Sequence, residues 1–131
     1  MYAELHCLSH YSFLRGASAP EELVNRAIHC SYHALAITDE CSLAGVIKAH
    51  VAAKEHNLKL IIGSELTLTE GIRLVALVPD RKAYGELSGL ISRARRRSGK
   101  GEYIVRLRDV IFHLKRCLLI LLPDDTANQS V

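Results

Sequence analysis

Two short apolar runs constrain most strongly what this chain of 131 residues can fold into. Ala34-Leu35-Ala36-Ile37-Thr38 ends in Asp39-Glu40-Cys41-Ser42, and Lys59-Leu60-Ile61-Ile62 ends in Gly63-Ser64-Glu65. Each run is too short for a helix, is rich in aliphatic or β-branched residues, and follows a stretch of helical periodicity. Strands and helices alternating at roughly 25 to 30 residues per unit read as parallel βαβ construction, an α/β fold. In such folds the loops leaving the C-terminal strand ends converge over one opening, and sites are found there. The first segment, Glu4-Leu5-His6-Cys7-Leu8-Ser9-His10-Tyr11-Ser12-Phe13-Leu14-Arg15-Gly16, has the same form, with two histidines and two small hydroxyls after an apolar start. His6, Asp39, Glu40 and Glu65 are therefore expected at one rim of one sheet.

The helices have recognisable starts. Ser18-Ala19-Pro20-Glu21 predicts a start with Ser18 as cap, Pro20 in the first turn and Glu21 completing a capping box. Leu23, Val24, Ala27 and Ile28 then recur on one face, and the helix is expected to end near Ser31. Ser42 is a candidate cap for the next helix, with Leu43, Val46, Ile47, His50 and Val51 as the buried stripe and Asn57 as the stop. Glu65 to Thr69 and Ile72 to Val78 read as strands around a Glu70-Gly71 turn. Pro79-Asp80 opens a longer helix, with Tyr84, Leu87, Leu90, Ile91 and Ala94 inward and Arg95-Arg96-Arg97 complementing the dipole at its end. A short helix from about Leu107 to Leu114, a strand from Cys117 to Leu122 and an irregular tail complete the chain.

Composition excludes several classes. A net charge of +3 does not by itself imply nucleic acid. The charge is uneven, however. Between positions 93 and 108, Arg93, Arg95, Arg96, Arg97, Lys100, Arg106 and Arg108 stand against Glu102 alone, and Arg95, Arg96, Arg97 and Lys100 are candidate phosphate contacts. The four cysteines have neither CxxC spacing nor a disulfide framework, which points to a reduced compartment. The first residues lack a secretory pattern, and Cys117 to Leu122 falls far short of the ~18 apolar residues of a membrane span. A cytoplasmic protein that contacts no membrane is expected.

The three motifs together are specific. His6 to Gly16, Ala36-Ile37-Thr38-Asp39-Glu40 and Ile62-Gly63-Ser64-Glu65 resemble, in order and spacing, the first three motifs of the polymerase and histidinol phosphatase (PHP) domain. Leu14-Arg15-Gly16-Ala17-Ser18, Thr38 to Gly45 and Arg93 to Tyr103 are similar to the error-prone, translesion branch of the bacterial DNA polymerase III alpha subunit family. The resemblance covers about Ala3 to Leu122. It implies a seven-stranded distorted βα barrel, of which this chain would supply about half, residues 1–122, with 123–131 as the tail.

In complete members of that family a cluster of His, Asp and Glu binds several metals and hydrolyses phosphoesters, the ions activating water and neutralising phosphate charge. Carried over by position, His6 and Glu65 match ligands. The second histidine falls on Leu8, the aspartate before glycine on Arg15, the histidine after Thr-Asp on Glu40, and a later histidine on Arg73. Arginines at cation-binding positions are expected to pair with Glu40 or Glu65 instead. The resemblance thus implies a degenerate site (His6, Glu40 and Glu65 as residual ligands; Leu8, Arg15, Asp39 and Arg73 lining it) with no cofactor in this part of the protein.

Implied partners are the polymerase palm and thumb of a full-length protein, DNA through that protein, and a second copy through open barrel edges. The full-length relatives polymerise with magnesium, through a palm that this chain lacks. The rival reading is a metal-dependent phosphoesterase or 3'-5' exonuclease using zinc or manganese at His6, Glu40, Glu65 and Asp39. Cys41 has no histidine assigned as its base and is not expected to act as a nucleophile.

Overall fold

The computed structural model describes residues 1–12 and 15–123 and falls into two compact units, Met1–Ser64 and Glu65–Val131. The irregular tail expected from residue 124 onward, together with Phe13 and Leu14, lies outside the described residues. The α/β class expected from the sequence is present. The first unit carries β1 (Ala3–Glu4), α1 (Pro20–His29), β2 (Ala34–Ile37), α2 (Val46–Glu55) and the start of β3 (Lys59–Thr67). The second holds the end of β3, β4 (Arg73–Val78), α3 (Arg81–Arg96), α4 (Leu107–His113) and β5 (Leu118–Leu121).

In the first unit β1, β2 and β3 are parallel neighbours, with Ala3 opposite Ala34 and Leu35 opposite Leu60. All four β2 residues are buried, as in a parallel strand covered on both faces. Its core is built from Val24, Ala27, Leu35, Ile37, Ala49, Ala52 and Ala53, with Leu23, Tyr32 and Leu60 packed against it. A fully buried leucine such as Leu35 contributes about 1.5–3 kcal/mol of transfer free energy.

Two local expectations fail in this unit. The α1 cap is Ala19 rather than Ser18, and Glu22 rather than Glu21 closes on it, accepting the Ala19 N–H at 3.3 Å. Pro20 explains the shift: it needs no N–H partner and fits the first helical position, which makes its extended predecessor the cap. The α2 stripe is also rotated. Val46, Ala49, Ala52 and Ala53 are buried, whereas Ile47 is 77% and Val51 52% exposed and His50 is exposed. Alanines let α2 pack closely in the core where larger side chains would hold it off, so residue size decides the face. Ser42 accepts the Ala44 N–H in a turn ahead of α2, and Gly45 is the residue before the helix.

In the second unit the chain reverses at Gly71, whose φ of +88° suits glycine. Asp80 caps α3 by accepting the Ala83 N–H at 2.9 Å, and Ala83, Leu87, Leu90 and Ala94 are buried. Tyr84, expected inward, is 37% exposed. The parallel pattern ends here: β4 and β5 are antiparallel, with Leu74 opposite Leu121 and Leu77 opposite Leu118. Two helices rather than one separate them, so the chain re-enters the sheet from the end at which β4 finished. Both helices were expected from the sequence, but the reading of parallel βαβ construction does not extend to β5.

Candidate functional site

The loop after β1 is tied to the end of β2 through Thr38. The Thr38 N–H donates to the Cys7 carbonyl at 2.8 Å, and the Cys7 N–H donates to Thr38 Oγ1 at 3.1 Å. Next to this clamp Asp39, only 2% exposed, takes three donors. The Ser9 N–H reaches Oδ1 at 2.7 Å, the Ser9 hydroxyl reaches Oδ2 at 2.6 Å, and the Ser12 hydroxyl reaches Oδ1 at 2.8 Å. Ser12 Oγ in turn accepts the Glu40 N–H at 2.9 Å. The Ser64 hydroxyl donates to the Asp39 carbonyl at 2.7 Å and accepts the Ser42 N–H at 3.2 Å. Charge-assisted bonds of this length compensate for burying the carboxylate, and both of its oxygens are turned to the loop.

Gly16 closes the same loop. Its N–H donates to the Ser12 carbonyl at 3.0 Å, and a β-carbon there would run into the Ser9 carbonyl. Only glycine allows that approach.

Arg15 Nη1 lies 3.0 Å from Glu40 Oε1, with side chains 34% and 28% exposed. In the second unit Arg73 Nη2 lies 2.7 Å from Glu65 Oε1, and the Glu65 side chain is fully buried while that of Arg73 is 29% exposed. Both arginines therefore make the pairings expected of them. His6 and Leu8 are half-buried, and the His6 N–H donates to Glu4 Oε1 at 3.2 Å. His6, Leu8, Arg15, Asp39 and Glu40 belong to the first unit, Glu65 and Arg73 to the second. Among the described residues no three His, Cys, Asp or Glu side chains come together as a metal-holding group.

The cysteines offer no activated thiol in this region. Burial, followed by the nearby Glu4 and Asp39, pushes the Cys7 thiol above its ordinary value, and Cys41 is buried.

The basic stretch is partly consumed internally. Arg95 donates to the Glu102 carbonyl at 3.2 Å and lies over the Tyr103 ring at 5.1 Å. Arg97 Nη1 is 2.7 Å from Asp109 Oδ2, and Arg93 Nη2 is 3.2 Å from His113 Nδ1. Arg96, Lys100, Arg106 and Arg108 are exposed. The buried Asp109 also accepts the Arg106 N–H at 2.9 Å, joining the end of α3 to the start of α4. Its carboxyl is held below the usual range chiefly by the Arg97 hydrogen bond.

The sequence reading noted the small hydroxyls but gave Ser9, Ser12 and Ser64 no part, and missed Asp109. Ser9 and Ser12 stand before the first helix and carried a readable signal: short hydroxyls placed to serve an acceptor in a neighbouring loop. Asp109 carried none, because one acid within a basic run reads as solvated.

Residues 4–124 match the model of the PHP domain. The chain is 60% identical over 122 residues to the error-prone DNA polymerase of Saccharophagus degradans, covering 93% of this chain and 12% of that protein. It is 54% identical over 129 residues to that of Teredinibacter turnerae, covering 98% of this chain and 12% of the relative. Among solved structures, a Bifidobacterium adolescentis protein assigned as a metal-dependent phosphoesterase superposes with a TM-score of 0.61 at 26% identity, over 88% of this chain and 44% of its own. A Chromobacterium violaceum amidohydrolase superposes with a TM-score of 0.61 at 26% identity, over 73% of this chain and 34% of its own. The chain thus spans about an eighth of the polymerases that it matches.

Proposed function

Because the chain belongs to the PHP domain family, and is homologous to the N-terminal region of error-prone DNA polymerases, we propose that it acts as a scaffold rather than a hydrolase. Its place is the PHP domain of a translesion DNA polymerase III alpha-type protein working in replication and damage tolerance in the cytoplasm. There it packs on the palm and thumb domains, and the polymerase chemistry with magnesium belongs to those other domains. Arg96 and Lys100 are its candidate contacts to DNA phosphates, because Arg95 and Arg97 already serve internal partners. Among the described residues no helix is long and apolar enough to cross a membrane.

The observation that carries this reading is the pairing of guanidinium groups with the acidic side chains at matched metal positions. The donor set does not fit a divalent metal. At Glu40 a cation would have to displace Arg15, and Leu8 offers no donor. At Glu65 it would have to displace Arg73 from a bond of 2.7 Å. Divalent sites need several converging donors with their charge uncompensated, and here fixed cations already neutralise both carboxylates.

Calorimetric titration with zinc and manganese, followed by a phosphodiester assay, tests the proposal. No stoichiometric binding and no turnover is the expected result. Tight binding of two or more ions, with turnover lost in His6→Ala, would establish the phosphoesterase reading instead.

A further inference from the structure

Helix α4 turns one side to the core of its unit and the other to solvent. Its single acid, Asp109, is on the inner side, buried together with Val110 and paired with Arg97 at 2.7 Å. The outer side carries Arg108, Ile111 and Phe112, all exposed, and exposed Lys115 follows just past the end of the helix. Among the described residues neither Arg108 nor Lys115 forms an ion pair. The outer side is therefore cationic and uncompensated.

Phe112 stands in the middle of that charge. It is 71% exposed, against the usual burial of phenylalanine, yet its ring is held in place. The His113 ring meets it edge-on at 5.1 Å between centroids, and Lys115 Nζ lies over it at 5.6 Å. Arg108, four positions earlier, is its neighbour along the helix surface. Tyr103, the other aromatic near the basic stretch, already serves internal partners: Arg95 lies over its ring, and its hydroxyl accepts the Thr67 N–H at 3.0 Å.

This combination selects what can cover the helix. An apolar protein element laid over Phe112 would also cover Arg108 and Lys115, stripping water from two cations with nothing to pair them. A single-stranded polynucleotide meets both needs, offering an unstacked base to the ring and phosphates to the cations. A duplex offers phosphates alone, because its bases are stacked on one another.

We propose that this side of α4 binds single-stranded DNA, with a base stacked on Phe112 and the flanking phosphates on Arg108 and Lys115. The inference rests on the contact with DNA phosphates assigned above to Arg96 and Lys100, and adds to it the element that tells a single strand from a duplex. Arg96 and Lys100 follow at the end of α3, which the Arg97 and Asp109 pair joins to the start of α4.

Fluorescence anisotropy of the full chain with a labelled oligothymidylate of about a dozen nucleotides, repeated over a salt series, tests the site. Phe112 is exposed, so its variants leave the core as it is. Phe112→Ala should weaken binding about tenfold, and Phe112→Tyr should retain the parent's affinity. Phe112→Leu should behave as Phe112→Ala does, because an aliphatic side chain has no ring face to stack on. Arg108→Ala should lower the slope of log affinity against log salt by about 0.7, the loss of one phosphate contact to a single strand. A base-free strand of the same length should bind the parent about as weakly as the oligothymidylate binds Phe112→Ala. Absence of binding, or binding that Phe112→Leu preserves, would overturn the proposal. Binding weakened by Arg96→Ala and Lys100→Ala but indifferent to Phe112→Ala and Arg108→Ala would also overturn it, while leaving the phosphate contacts of the proposed function in place.

Discussion

Asp39 and Glu65 are both buried carboxylates, 2% and 0% exposed, and the chain keeps them by opposite means. Asp39 is held by neutral donors, an N–H and two hydroxyls, all from the loop between β1 and α1. Glu65 is held by a cation, the Arg73 guanidinium. The first arrangement spends the carboxylate on backbone geometry, and the second neutralises it. A phosphoester-hydrolysing site would need such groups directed at metal ions. The contrast shows two separate ways in which this fold holds a buried carboxylate.

Removing each acceptor or its partner measures the contrast. Asp39→Ala should have the largest effect, lowering unfolding free energy by about 3–4 kcal/mol in urea titration, since three buried donors lose their partner together. Arg73→Met should cost about 2–3 kcal/mol, below the usual figure for breaking a buried pair because Arg73 is partly solvated. If Arg73→Met proved the more damaging, the neutral cage would be secondary and the ranking drawn here would fail.

Smaller effects sharpen the same comparison. Asp109 has its carboxyl depressed, chiefly by the Arg97 hydrogen bond. A depressed carboxyl stabilises the fold at pH above its unfolded value of about 3.9, and that contribution is lost as pH falls through the lower folded value. Acid titration followed by circular dichroism should therefore show the parent losing stability below about pH 4 more steeply than Arg97→Ala does. Arg15→Ala should be the mildest, under about 1 kcal/mol by thermal melting, because its pair with Glu40 is partly solvated on both sides.

Much of the fold was legible because it rests on local signals. Ala34–Ile37 announces itself as a strand by its length and apolar run, Asp80 as a cap, and Gly71 as a turn. The pairs of Arg15 with Glu40 and Arg73 with Glu65 were readable from opposite charges at positions that the three motifs bring into focus. What escaped depends on residues distant in sequence or on size. The buried face of α2 was set by Ala49 and Ala52 against Ile47 and Val51, which a hydrophobicity pattern ranks the wrong way round. The direction of β5 depends on the path that the chain takes through α3 and α4, which periodicity alone does not fix. That the Ser9 and Ser12 hydroxyls serve Asp39 in particular joins residues about thirty positions apart, so neither segment names that pairing alone.

The central claim, that arginines occupy the cation positions of this PHP domain, is tested most directly by soaking crystals of the chain in manganese and measuring anomalous scattering. The account predicts no manganese peak within coordination distance of Glu40 or Glu65, with both guanidinium groups still on their carboxylates. A manganese peak at either carboxylate, with Arg15 or Arg73 swung away, would contradict it.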